Sequence, residues 1–270
     1  MDTKNPAKTV AWLSLLVLLG CDLVPEPPGV EQVKGTVGDA LAAANALQPA
    51  LELLGLLPEE GCGEPRSLRP VRFTANLQEK LGCAAAELEL GEVADTIRVR
   101  FPPEGCWVED HVVTGELTVT VSGGDDRQSV ELDLRRANLD GQSIPVRLGY
   151  QTCGGATQYS AIAQGSAKGL AFDLDLAVTL EKGRWPWSPD RYAVDGHGAL
   201  THGGGTERLA FEEVRYTLGD LAPEQGSLRI ETSGGSSVQA TFGEGAEEME
   251  LVVNGGTPLR IRVPELLPFP

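Results

Sequence analysis

Few residues in this 270-residue chain combine a reactive side chain with a spacing suited to catalysis or metal binding. Of its three histidines, His197 and His202 lie five residues apart, and an odd separation puts them on opposite faces of a strand. Side chains placed in this way are poorly arranged to share a metal ion. Asp173 and Asp175 would share a strand face, as a general acid and base require. In a chain with 39 acidic residues, a solvated sheet face accounts for such a pair.

The glycine-rich segments do not have the order of a nucleophile or phosphate site. Residues 232–237 read TSGGSS and lack the Gly-x-Ser-x-Gly order of a nucleophile elbow. Residues 202–206 read HGGGT, with neither a following lysine nor a helix to bind phosphate. The acidic pairs at 125–126 and 247–248 lack the alternating ligands of a calcium loop. The sequence predicts no catalytic residue, no metal site and no cofactor, and it favours a non-catalytic role.

One segment gathers the scarce aromatic residues of the chain. Residues 182–192 read KGRWPWSPDRY and are expected to form a loop. Exposed rings at Trp185, Trp187 and Tyr192 could stack on a sugar or anchor a protein partner. The alternative is that the loop folds these rings back over the open end of a sheet. The three residues are the candidate ligand-binding site.

The first 20 residues have the order of a secretory signal. Two lysines precede an apolar run over residues 10–19, which is too short to cross a bilayer. The run ends in Leu18-Leu19-Gly20-Cys21, which resembles the lipobox of bacterial lipoproteins. The resemblance implies cleavage before Cys21 and an acylated, palmitate-type anchor that holds the chain on a membrane. Asp22 resembles an inner-membrane retention signal of enteric bacteria, and the choice of membrane stays open.

The sequence after the signal predicts a stalk, a helical segment and a β domain. Residues 21–29 are proline-rich and would form a short, stiff stalk. Residues 30–60 form the helical segment, because apolar residues recur every three or four positions up to about residue 54, with a break at Pro49. Residues 61–270 form a domain of short alternating segments separated by glycine turns. The predicted fold is mainly β, an antiparallel sheet, sandwich or open barrel.

The β domain contains an internal repeat, over about residues 83–121 and 224–263. Phe101 aligns with Phe242 and Gly115 with Gly255, and each copy reads strand, loop, strand, glycine turn, strand. Two cysteines of the first copy, Cys83 and Cys106, are absent together from the second.

The four cysteines of the exported chain favour two disulfides. A metal site usually uses close pairs such as Cys-x-x-Cys, and the sequence contains none. Cys83 and Cys106 would lie opposite each other at the open end of one hairpin, within disulfide range. The sequence therefore predicts a Cys83–Cys106 bridge, which leaves Cys62 with Cys153.

The β domain also resembles a type of exported bacterial lipoprotein with no assigned activity. The resemblance is carried by Phe101, Cys106, Gly115 and the strand ELTVTV, and then by short motifs around residues 242–255. This chain departs in having Pro102 after the first phenylalanine and no cysteine in the second copy. The resemblance implies an exported, anchored protein and carries no activity with it.

Charge and anchor together restrict the function. The formal net charge is −17, and removal of residues 1–20, with two lysines and one aspartate, makes it −18. So acidic a chain does not seek nucleic acid. We expect an envelope lipoprotein, on the periplasmic side or the cell surface, that is a non-catalytic binding or structural module for a glycan or an envelope protein. The alternatives are a hydrolase of envelope polysaccharide and a carrier or assembly factor for lipid or outer-membrane components.

Overall fold

The computed structural model describes one helix and fifteen strands. The described residues are 29–51, 71, 74–75, 78–79, 82–108, 111–123, 128–151, 158–167, 170–181, 183, 190–243 and 248–263. The predicted signal and stalk, the anchor Cys21, the pair Cys62 and Cys153, and the loop residues Trp185 and Trp187 lie outside them.

Helix α1 covers Val30–Asn45 and all the strands lie in one antiparallel sheet. The strands are β1 Ala85–Glu89, β2 Ala94–Arg100, β3 Cys106–Val108, β4 His111–Gly123, β5 Gln128–Leu139, β6 Gln142–Ser143, β7 Val146–Gln151, β8 Gln158–Ala167, β9 Leu170–Glu181, β10 Arg191–His202, β11 Gly205–Thr217, β12 Gln225–Glu231, β13 Ser237–Phe242, β14 Glu248–Val253 and β15 Leu259–Arg262.

The sheet is a meander in which almost every strand pairs with its neighbours in the sequence. The order is β1-β2-β4-β5-β7-β8-β9-β10-β11-β12-β13-β14-β15, and the short strands β3 and β6 pair with β4 and β5. The mainly β, antiparallel fold with an N-terminal helix is thus confirmed. The sequence left a single sheet, a sandwich and an open barrel as alternatives, and the described strands form one sheet and not a two-sheet sandwich.

Alternating side chains give the sheet an apolar inner face. One register row crosses all thirteen strands of the main path, and ten of its members are buried aliphatic or aromatic residues. That row runs Leu88, Ile97, Val119, Leu132, Leu148, Ala161, Leu176, Gly196, Phe211, Leu228, Ala240, Leu251 and Leu259. Only its two end members and Gly196 are not buried. Period-two alternation predicted this face, since strands place every second residue on the same side.

Helix α1 belongs to the same hydrophobic core as the inner face of the sheet. Its apolar stripe, from Val33 to Ala44, is 0–3% exposed, and the helix contacts β9. The helix ends at Asn45, and a new helical turn covers residues 48–51 with Pro49 in it. The predicted break at Pro49 is therefore present, as expected for a residue that is tolerated in the first turn of a helix.

The end of the helix is tied to the loop between β11 and β12. Asn45 Nδ2 donates to the carbonyl of Leu221 at 2.9 Å, and the Gln48 amide donates to the carbonyl of Asp220. Gln48 is 7% exposed, so this bond satisfies a buried amide group. Among the described residues, no helix has the length and hydropathy required to span a bilayer.

The outer face of the sheet is polar and carries exposed ion pairs. On the first strands, Arg100 contacts Glu87 at 3.2 Å and Glu116 at 3.1 Å. Asp173 and Asp175 of β9 are also exposed on this face, as predicted. Exposed ion pairs contribute about 0–1 kcal/mol each, so this face is a solvated surface more than a source of stability.

The two predicted repeat copies pair their strands differently. In the second, a turn at Asn254 and Gly255 separates β14 from β15, as expected. In the first, the chain runs on through Gly115 as the single strand β4. Gly115 has φ +89°, and the β4–β5 register shifts just after it, between Glu116 and Thr118. The predicted glycine turn at this residue is therefore wrong: the glycine lies within a strand, beside a β-bulge, and relieves a close approach there.

Candidate functional site

The predicted Cys83–Cys106 disulfide is confirmed, and it ties the start of β1 to strand β3. The Cα atoms of the two cysteines are 5.7 Å apart, within the range that a disulfide requires. The β1–β2 hairpin that was expected between them is present, and the Asp95 carboxylate accepts a hydrogen bond from the Gly91 backbone N–H at 3.1 Å. Cys106 is fully buried on the inner face.

Trp107 projects from the opposite face of the same short strand and is 73% exposed. Successive residues of a strand point to opposite sides of the sheet, so a buried Cys106 requires an outward Trp107. Trp107 lies opposite Val112 in the β3–β4 pairing, and Cys106 lies opposite the buried Val113. The disulfide and the strand pairing thus fix the backbone at Trp107, from which the indole extends to the surface.

Gly105, two residues before Trp107, packs closely against strand β4. It has φ +89°, a conformation that side chains rarely adopt. A Cβ at this position would collide with the Val112 side chain and lie 3.4 Å from that of Thr114. Glycine at residue 105 therefore lets the backbone approach the Val112 side chain of strand β4 closely.

Polar side chains lie on strands β4 and β5, on the face to which Trp107 points. Asn138 Nδ2 donates to Thr114 Oγ1 at 3.4 Å across β4 and β5. At the end of the same strands, His111 Nδ1 lies 2.7 Å from Asp140 Oδ2. We call the surface made by Trp107, Val112, Thr114 and Asn138, with the Asp140 carboxylate at its end, the Trp107 surface.

Asp140 is held in its ionised form. Its Oδ1 accepts the Val112 backbone N–H at 2.9 Å, and this bond, followed by the bond to His111, lowers the pKa of the carboxyl below its ordinary value. The Asp140 residue has φ +50°, in the Asp-Gly turn that the sequence predicted. The Trp107 surface therefore offers a flat aromatic ring, the hydroxyl group of Thr114, the amide of Asn138 and an anionic acceptor at Asp140.

The structure describes one of the three sequence-predicted aromatic residues, Tyr192, and places it differently. Tyr192 lies in strand β10, is 1% exposed and stacks on Tyr216 with ring centroids 5.0 Å apart. It is a core residue and does not present its ring to a ligand. Burial, followed by the proximity of Tyr192, raises the pKa of Tyr216 well above its ordinary value.

The remaining histidines also lie near carboxylates. His202 Nε2 is 3.2 Å from Glu207 Oε1, and Glu207 is 5% exposed. His197 is opposite Asp175 in the β9–β10 register, on the outer face. Such a pair can orient an imidazole, but catalysis also needs a nucleophile or a third group. Within the described ranges, no group of three or more histidine, cysteine, aspartate or glutamate side chains could hold a metal ion.

The sequence contained a signal for Trp107 that motif reasoning missed. The candidate aromatics were chosen by their clustering, and Trp107 stands alone. Once Cys106 is paired with Cys83 inside the domain, strand alternation requires the next residue to face solvent.

No known protein family, curated protein or solved structure matches the chain.

Proposed function

We propose that this protein is a lipid-anchored envelope lipoprotein and that its β domain is a non-catalytic module that binds a glycan through the Trp107 surface. The anchor is supported by the signal-like start of the chain and by the lipobox resemblance at Leu18-Leu19-Gly20-Cys21. The net charge of −17 disfavours polyanionic ligands. These properties favour a neutral polar ligand in the cell envelope.

The observation that carries the glycan proposal is the exposure of Trp107, at 73%, on an otherwise polar face. Large aromatic side chains are buried by default, so an indole that is held outward by a disulfide-linked strand calls for an explanation. A sugar ring offers an apolar C–H face to stack on the indole and hydroxyl groups around its edge. Asn138, Thr114 and Asp140 supply donors and acceptors for those hydroxyl groups.

Two observations favour binding over the alternative activities. The two described carboxyl groups with shifted pKa values, Asp133 and Asp140, are both shifted downward. A general acid of a glycoside hydrolase needs a raised pKa instead. A lipid carrier would hold its cargo against an apolar face, but the described inner face of this sheet is filled by its own side chains and by helix α1.

The proposal is tested by binding to isolated peptidoglycan sacculi and to an array of envelope oligosaccharides. Trp107→Ala should weaken glycan binding about tenfold or more, as for a buried aromatic anchor of a binding site. Val93→Ala, at a residue 79% exposed in the β1–β2 turn, is the matched control and should bind normally. Loss of binding in Trp185→Ala/Trp187→Ala with normal binding in Trp107→Ala would move the site to the loop. Binding of an envelope protein and no glycan would refute the ligand class.

The anchor is tested separately. Metabolic labelling with a palmitate analogue should label the parent chain and not Cys21→Ser, and the variant should leave the membrane fraction. An unlabelled parent would refute the anchor and leave glycan binding untouched. Protease shaving of intact cells then distinguishes the cell surface, where the β domain is digested, from the periplasm, where it is protected.

A further inference from the structure

The sheet has two edges with opposite charge. Within the described part of the chain, β1 pairs only with β2, and β15 pairs only with β14. The outward side chains of β1 include Glu87 and Glu89, and those of β15 are Arg260 and Arg262, all four exposed. An edge strand presents a row of main-chain donors and acceptors to any strand that approaches it.

The inner sides of the two edges are apolar and incompletely covered. Leu88 of β1 is partly buried, whereas the buried members of its register row lie further inside the sheet. Leu259 of β15 is 39% exposed and ends the same row. One more strand at each edge would cover these two leucines, and burial of apolar surface contributes roughly 25 cal/mol per Å².

Strand direction determines how the edges can meet. The main path contains thirteen antiparallel strands, so β1 and β15 run in the same direction. A second molecule that continues the sheet with its inner face on the same side therefore places β1 parallel to β15. In that arrangement the glutamates and arginines meet on the outer face, and Leu88 and Leu259 meet on the inner face.

We propose that this chain binds a second copy of itself by pairing β1 of one molecule with β15 of the other. The contact is head-to-tail, so each molecule keeps one free edge unless the copies close into a ring. Pairing of like edges is disfavoured, because Arg260 and Arg262, or Glu87 and Glu89, would then face the same charge.

The acidic edge can accept a second set of cations. Arg100 contacts Oε1 of Glu87 at 3.2 Å, and Arg98 contacts Oε2 of Glu89 at 3.5 Å. Each contact uses one carboxylate oxygen, and a carboxylate has acceptor sites for more than one guanidinium group. The main-chain hydrogen bonds between β1 and β15 supply affinity. The charges make the contact specific, because β1 is acidic and β15 is basic. The proposal is independent of glycan binding.

The test is sedimentation velocity of the full lipidated chain in density-matched detergent over a concentration series. The parent should show concentration-dependent dimers or larger species. Arg260→Glu/Arg262→Glu and Glu87→Arg/Glu89→Arg should each weaken association at least tenfold. A 1:1 mixture of the two variants should associate again, because each reversed edge meets the opposite charge. Arg208→Glu/Arg229→Glu, on β11 and β12 within the sheet, changes the net charge equally and should associate like the parent.

Circular dichroism spectra of each variant distinguish a loss of association from a loss of folding. If Arg260→Glu/Arg262→Glu unfolds because its new carboxylates face Glu248 and Glu250 of β14, Arg260→Ala/Arg262→Ala replaces it and should also weaken association. A parent that stays monomeric throughout would overturn the proposal. Edge variants that associate as strongly as the parent would also overturn it. So would a 1:1 mixture of the two folded, charge-reversed variants that stays monomeric.

Discussion

Reduction of the Cys83–Cys106 disulfide should destabilise the β domain by an amount that depends on the length of the loop it closes. The two cysteines are 23 residues apart. The chain-entropy treatment gives about 3.4 kcal/mol at 25 °C for a loop of this length. For a domain of this size each kcal/mol corresponds to about 2–4 °C in Tm, so the expected fall is about 7–14 °C.

The measurement is best made in a Cys62→Ala/Cys153→Ala background, in which only this bridge responds to a reductant. Urea unfolding is followed by circular dichroism with and without dithiothreitol, so the sequence is unchanged between the two states. Addition of Cys83→Ala/Cys106→Ala gives a chain that should not respond to dithiothreitol. A fall of less than about 1 kcal/mol on reduction of the first chain would refute the argument that the bridge constrains the unfolded state.

Three further predictions concern the backbone and the titratable groups. Gly115→Ala should lower stability by at least about 1 kcal/mol more than Gly141→Ala in urea unfolding. Both glycines have positive φ, but only at residue 115 would a Cβ lie against a backbone oxygen. Equal losses of stability in the two variants would contradict this. The pKa of Asp133 is lowered chiefly by its hydrogen bond to Arg135. Its contribution to stability is therefore present above about pH 4, the unfolded value, and is lost as pH falls through the lower folded value. Asp133→Asn should show a smaller loss of Tm than the parent between pH 5 and pH 2. The raised pKa of Tyr216 means that the unfolded chain releases this proton first, so stability should fall as pH rises above about 10. Ultraviolet titration at the tyrosinate band should show that Tyr216→Phe removes one tyrosine that ionises above the ordinary range.

The strands and their faces could be predicted because they depend on local pattern. Phe172, Leu174, Leu176 and Val178 alternate with polar residues, and all four are buried in β9. The hairpin that brings Cys83 to Cys106 followed from the same alternation. The break near Pro49 followed from the chemistry of proline alone.

Other features depend on non-local contacts that a pattern does not contain. Gly115 has the sequence of a turn, but β5 pairs alongside it and keeps the chain in one strand. Tyr192 directly follows a proline- and tryptophan-containing segment, yet the β9–β10 register places it inside the core. The two sheet edges become visible only when the pairing of all strands is known, although both charge patterns can be read in the sequence.

The meander has a consequence for how the chain acquires its structure. Because almost every strand pairs with a strand that is adjacent or next but one in sequence, the sheet can form progressively from β1 onward. Helix α1 comes before all of these strands, and among the described residues it is the later inner face that covers its apolar stripe. The helix is thus an early-synthesised element whose partner is completed last. A chain that emerges from its N-terminus would carry this stripe exposed until the strands arrive, which makes α1 the segment most in need of protection during folding.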